Sequence, residues 1–321
     1  MSDPAEKRDP AVAKEEPRIR VRYSYLPQQF ADIDDLWEQL KAFVPTGDFT
    51  LGQPLTEFEG RFAELIGTRY AIGVNSGTDA IKLALKAVGV RPGDEVITAA
   101  NTFVATVGAI NEVGARPVFV DVDDTFCMDV GLVEAAITER TRALVPVHFT
   151  GYMTDMRELV PLAERHGLPL VEDACQSILG AIEGRNAGTW GRAGAFSLHP
   201  LKNLNVWSDG GLIVTDDDTL AEHLRLLRNH GLSDRDTVIL LGYNSRLDTL
   251  QAVVGNWLIP QTRAIAEARI ANAAYFDQHL GALPQIRIPP RPEEMRIVYH
   301  LYIVFAEDRD ALLEHCVAQG V

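Results

Sequence analysis

Between residues 70 and 173 short apolar runs alternate with amphipathic stretches, and that alternation restricts the possible folds more than any other feature of the chain. Residues 70–74 read as a strand. Ile81, Leu83, Ala84, Leu85 and Val88 then recur at helical spacing until Gly89 and the Pro92-Gly93 pair close the helix. The same exchange follows with strands at 95–98, 117–121, 143–147 and 169–173 and helices at 102–113, 130–137 and 156–166. Strand runs that are apolar throughout belong to a sheet buried on both faces, and a strand–helix repeat makes such a sheet mostly parallel. The expected class is α/β. Residues 19–255 form a large domain whose first ~25 residues can pack with a smaller one. Residues 193–214 lack helical patterning and read as short strands around loops, and 220–230 is amphipathic again. A helical stretch over 248–280 leads out of the large domain, so residues 256–321 supply a linking helix and a smaller α+β domain. Residues 1–18 carry almost no large apolar side chain and read as a disordered tail.

Charge and cysteine usage exclude several partners. Lys plus Arg is 30 against 45 for Asp plus Glu, a net charge of −15, which speaks against nucleic acid or anionic lipid as the main partner. No apolar run approaches the ~18 residues of a spanning helix, and the start of the chain has no apolar core of a signal peptide. Cys127, Cys175 and Cys316 are too few and too scattered for a disulfide framework or a zinc site, so the cytoplasm is the expected compartment. The histidines show no metal-ligand spacing, and no GxGxxG, P-loop or GxSxG motif occurs.

Three segments carry chemistry. Asn75-Ser76-Gly77-Thr78-Asp79-Ala80 lies between a strand and a helix, where outward N–H groups and the helix dipole suit a phosphate; an ordinary N-cap would use the same residue types. Glu172-Asp173 ends a buried strand, the edge at which ligands gather in open α/β sheets, although such a pair can also cap a turn. Lys202 sits in the small and apolar run 195–203, where lost solvation lowers an amine's pKa, as imine formation requires; a snorkelling surface lysine is the alternative. A phosphate cradle, a carboxylate and a desolvated lysine together match the needs of pyridoxal phosphate.

With these segments in hand, the chain resembles the fold-type I pyridoxal-phosphate enzymes, specifically the DegT/DnrJ/EryC/StrS sugar aminotransferase family. The resemblance rests on residues 47–52, 75–80, 92–96, 101–106, 172–176, 196–203 and 242–246, in the family's order, and spans nearly the whole chain. It implies a large domain with a mostly parallel sheet flanked by helices and a cofactor, pyridoxal 5′-phosphate, bound as an imine to Lys202, which also shuttles the proton. It implies that Asp173 pairs with the pyridine nitrogen and that Gln176 lies near the cofactor hydroxyl. Gly77, Thr78 and Ser197 would hold the phosphate, Phe103 would stack on the ring, and Asn244 would reach the phosphate of a neighbouring subunit in a homodimer. The implied reaction moves an amino group from an amino acid, glutamate, to a nucleotide-linked or phosphorylated keto-sugar. Two alternatives are a sugar dehydratase of the same fold, whose members carry histidine in place of the lysine, and a cofactor-binding regulatory protein without turnover. Family members continue beyond the position of Val321, so the small domain is expected to be incomplete. Tyr23, Tyr243, His300 and Tyr302 are further candidate contacts, read in the first instance as packing or surface residues.

Overall fold

The computed structural model describes residues 19–321; the segment 1–18, read above as a disordered tail, lies outside the described residues. Helices α1 (Asp34–Phe43) and α2 (Gln53–Ile66) precede the sheet. Then come strand β1 (Tyr70–Val74), α3 (Gly77–Ala87), β2 (Glu95–Ala99), α4 (Val104–Glu112), β3 (Arg116–Val120) and β4 (Thr141–Val145). After α5 (Met156–Arg165) follow β5 (Val171–Asp173), β6 (Ala193–Ser197), β7 (Gly211–Thr215) and α6 (Asp218–Leu227).

The strands run β3-β2-β4 and β5-β6-β7-β1, and parallel bridges from Leu144 to Leu170 and from Val147 to Asp173 join the two groups into one sheet. Only β7 is antiparallel to its neighbours. β2 and β5 to β7 are buried along their whole length, the carboxylates of Glu95, Glu172 and Asp173 included, each of them hydrogen-bonded. β3 is half exposed and carries Pro117, and both facts fit its position at the sheet edge, where a missing N–H leaves no ladder bond unmade. Helix α3 buries Ile81, Leu83 and Leu85 completely, each contributing about 2 kcal/mol of apolar burial.

Residues 193–214 hold two five-residue strands around a loop, as expected, and Gly194, with no Cβ, lets the Gly188 backbone approach. The structure corrects two expectations. The helix expected over 130–137 is a 3₁₀ turn at Val130–Leu132 followed by a single turn at Val133–Ala136. The stretch 248–280 divides into α7 (Thr249–Leu258) and α8 (Thr262–Leu280) at a 3₁₀ turn holding Pro260, which cannot supply the N–H a continuous helix needs.

After α8 the chain returns to the sheet region. Met295–Arg296 pairs with Ala181–Ile182, Ile286–Arg287 pairs with Phe305–Ala306, and α9 (Arg309–Ala318) ends the chain. Arg20 and Val21 donate their N–H groups to the Gly320 carbonyl, so the first described residues lie against the last.

Candidate active site

Because β1, β5 and β6 are parallel, their C-terminal ends share one edge of the sheet, and the three sequence segments converge there. β1 leads into α3, whose N-cap is Ser76: its Oγ accepts the Asp79 N–H at 3.1 Å. The capping alternative is therefore realised, but by Ser76, and the N–H groups of Gly77 and Thr78 precede the helical ladder and remain available to a ligand. Gly77 is required by space. A Cβ there would lie 2.7 Å from Ser197 Cβ and 2.9 Å from Cys175 Sγ. The end of β6 thus sits directly against the helix N-terminus, with the Ser197 hydroxyl at the same edge.

Asp173 ends β5 and is only 5 % exposed. Its Oδ2 accepts the Thr106 hydroxyl at 2.6 Å, its Oδ1 accepts the Cys175 N–H at 3.1 Å, and Thr106 is in turn 2.7 Å from the Thr102 hydroxyl. Thr106 is a site residue that the sequence reading did not single out, although it stands in the 101–106 motif. Phe103 caps α4 one turn before Thr106, with its ring 62 % exposed. Glu172, the neighbour of Asp173, faces the opposite side of the sheet and takes no part in this surface.

Lys202 is held by its backbone: its N–H donates to the His199 carbonyl and its own carbonyl accepts from Asn205 Nδ2. Burial pushes its amine below the ordinary lysine value, and the nearby Cys175 and Asp173 oppose that shift only in part. The snorkelling alternative does not describe this side chain. Burial and the Asp173 carboxylate also push the Cys175 thiol well up, which makes it a neutral wall of the site.

Gln176 accepts the Thr150 N–H at 2.7 Å through Oε1. Thr150 lies in the left-handed region (φ +58°), and the adjacent Gly151 (φ +108°) has the Tyr299 backbone nitrogen only 2.4 Å from where a Cβ would be. This turn holds residues 298–301: Val298 N–H donates to the Gly151 carbonyl, Leu301 N–H to that of Thr150, and Asn203 Nδ2 to the Val298 carbonyl. The result places His300 beside the Lys202 loop. Burial, together with the charges of Lys202, Arg269 and His199, pushes its imidazole down to about 3. His300 is therefore half-buried among residues far away in sequence, beside the Lys202 loop. Tyr302 instead donates to Asp277 at 2.7 Å, Tyr243 lies under the Lys82 amine, and Tyr23 is 80 % exposed, as packing and surface residues should be.

The His300 shift has a measurable consequence. Above about pH 6.5 folded and unfolded chains both carry a neutral imidazole. Below it the unfolded chain gains a proton that the folded chain refuses until about pH 3, so stability falls across that window, by a few kcal/mol at most. Melting temperatures at pH 7 and pH 4.5 should therefore differ less for His300→Gln than for the wild type; equal differences would contradict the assignment.

Asn244 is exposed and lines a small polar cleft with Asn75, Arg246 and Asp248. Its segment is tied to α3 through the Ser245 hydroxyl, which donates to Asp79 at 2.6 Å. Asn244 therefore stands near the N-terminus of α3, beside Asn75. Among the described residues no group of three or more His, Cys, Asp or Glu is placed to hold a metal ion.

The profile of the DegT/DnrJ/EryC1/StrS aminotransferase family matches residues 31–321. The chain belongs to this family. The sequence is 42 % identical over 301 residues to a dTDP-3-amino-3,4,6-trideoxy-alpha-D-glucose transaminase of Streptomyces venezuelae, covering 91 % of this chain and 79 % of that one. It is 40 % identical over 301 residues to a protein of Geobacillus stearothermophilus named a pleiotropic regulatory protein, covering 90 % of this chain and 81 % of its relative. Among solved structures, S. venezuelae DesV in complex with a ketimine intermediate superposes with a TM-score of 0.91 at 40 % identity, over 95 % of this chain and 82 % of the other. The fold is that of the fold-type I transferases, as expected from the sequence.

Proposed function

We propose that this member of the family is a pyridoxal-phosphate-dependent aminotransferase that moves an amino group from an amino acid, glutamate, to a nucleotide-linked or phosphorylated keto-sugar. The observation that carries the reading is Lys202: an amine desolvated by its surroundings and facing the Asp173 carboxylate at the C-terminal edge of the sheet. The residues present fit the cofactor. The cradle at Gly77 is one a Cβ would fill, and Asn101 Oδ1, Thr150 Oγ1, Asn203 Oδ1 and His300 Nδ1 are buried without a hydrogen-bond partner in the protein. When bound, the cofactor supplies an electron sink for breaking the donor's C–H bond.

Each residue then has a task. Gly77, Thr78 and Ser197 would hold the phosphate, Phe103 the ring, Gln176 the hydroxyl and Asp173 the ring nitrogen. Lys202 would anchor the cofactor and, once freed by the donor amine, would carry the donor's α-proton on Nζ. The amino group would pass to the keto-sugar by the reverse proton transfer. The visible imine band of the purified protein, lost on adding glutamate and restored by a keto-sugar, tests the reading. A band that glutamate leaves unchanged would favour a regulatory protein without turnover, the role named for the Geobacillus relative. A dehydratase is disfavoured by Lys202 itself.

The site is further proposed to be shared in a homodimer, with Asn244 serving the partner's phosphate. The exposure of Asn244 in a polar cleft, free to meet a second subunit, supports this. Mixing Lys202→Ala with Asn244→Ala subunits should restore part of the activity, because each mixed dimer has one site with both lesions and one with neither. No recovery after confirmed subunit exchange would reject the sharing. No described helix is long and apolar enough to cross a membrane; a cytoplasmic enzyme is the proposal.

A further inference from the structure

On the face of the sheet opposite the site, Glu172 and His148 are both completely buried. The Glu172 carboxylate receives four donors: His148 Nε2 at 2.9 Å and Gly188 N–H at 2.8 Å on Oε2, and the N–H groups of Trp190 and Gly191, both at 2.7 Å, on Oε1. Its acceptor capacity is filled, so the side chain has one position. His148 Nδ1 accepts the Thr154 N–H at 3.3 Å, which leaves the proton on Nε2 and fixes the tautomer that donates to Glu172. This arrangement touches no reacting atom, and packing needs alone would be met by apolar residues of the same volume.

Its backbone connections lead to the site. The His148 N–H donates to the Asp173 carbonyl at 3.0 Å, and the Asp173 N–H donates to the Pro146 carbonyl at 2.9 Å. Two residues after His148, Thr150 presents its N–H to Gln176 Oε1. The Ser177 hydroxyl closes the same loop on the carbonyls of His148 and Tyr152 at 3.0 and 2.9 Å. Successive strand residues point to opposite faces, so a fixed Glu172 below the sheet fixes the direction of Asp173 above it.

We propose that His148 and Glu172 are a positioning pair that sets Asp173 and Gln176 at their reach toward the cofactor, an inference resting on the function proposed above. A misplacement of about 1 Å in such a constellation costs roughly 10²-fold in rate. His148→Phe removes the donor, whereas His148→Gln places an amide N–H where Nε2 stood. The pH titration of the cofactor's visible imine band and the kcat and KM for the keto-sugar are read in both. The expected result for His148→Phe is a shifted imine pKa, with kcat lower by roughly tenfold to a hundredfold and KM within about threefold. His148→Gln should stay within about threefold on each quantity. The isosteric Glu172→Gln, which turns an amide onto donors, should behave like His148→Phe and keeps the test open should that variant not fold. A merely structural pair would lower the melting temperature in these variants and leave the imine titration and kcat unmoved; that result overturns the inference. A wild-type protein with no imine band would instead overturn the proposed function.

Discussion

Lys202→Ala is expected to abolish the imine absorption and to lower the rate of the glutamate half-reaction by roughly 10³-fold or more, the combined loss of the nucleophile and of the proton carrier. The variant should fold. The loop is held by main-chain contacts, Lys202 N–H to His199 and Lys202 carbonyl to Asn205, which truncation beyond Cβ does not touch. Removing the amine also removes a desolvated cation, so stability should not fall. Cofactor should remain bound without the covalent link, because the α3 N-terminus and Asp173 are intact. Spectral titration with cofactor and a single-turnover reaction with glutamate read the two effects separately. Turnover near the wild-type rate would show that Lys202 is not the nucleophile.

What the sequence disclosed depended on how far apart the relevant atoms stand in the chain. The strands at 70–74, 95–98 and 143–147 were legible because they are buried and therefore mostly apolar. β6 was legible only as a short strand; that it lies in the middle of the sheet was not, since its close packing on Gly188 is a tertiary fact. The break at Pro260 was visible in the sequence, but helical periodicity on both sides masked it. Lys202, Asp173, Gly77 and Ser197 could be singled out as candidates because each sits in a compact motif at or just after a strand end. The placement of His300 could not be read: it follows from the left-handed turn at Thr150 and Gly151, some 150 positions earlier in the chain, which carries residues 298–301 to the Lys202 loop. For the same reason Glu172 reads in the sequence as half of an acidic pair, although its hydrogen bonds belong to His148 and to the loop that follows.

Asp173→Asn is expected to cost far more activity than cofactor affinity. The substitution preserves shape. The amide oxygen can still accept the Thr106 hydroxyl, now held at 2.6 Å, while the NH₂ group is turned onto the Cys175 N–H, an unfavourable but local contact. The charge is what disappears. An opposite charge at hydrogen-bond distance raises the pKa of a ring nitrogen by about 1–3 units, and without it the pyridine loses its proton near neutral pH. A neutral ring would withdraw electrons weakly and support loss of the donor's α-proton poorly, so kcat should fall by roughly 10²-fold or more. The phosphate cradle at Gly77, Thr78 and Ser197 is untouched, so the cofactor dissociation constant should change only a few-fold. Lowering the pH should restore part of the lost rate by protonating the ring from solvent, and this sets the charge effect apart from damage to the fold. Equilibrium dialysis of the cofactor and kcat between pH 5.5 and 8 measure both. Unchanged turnover across that range would remove Asp173 from the mechanism, whereas a loss that acid does not relieve would assign it to structure.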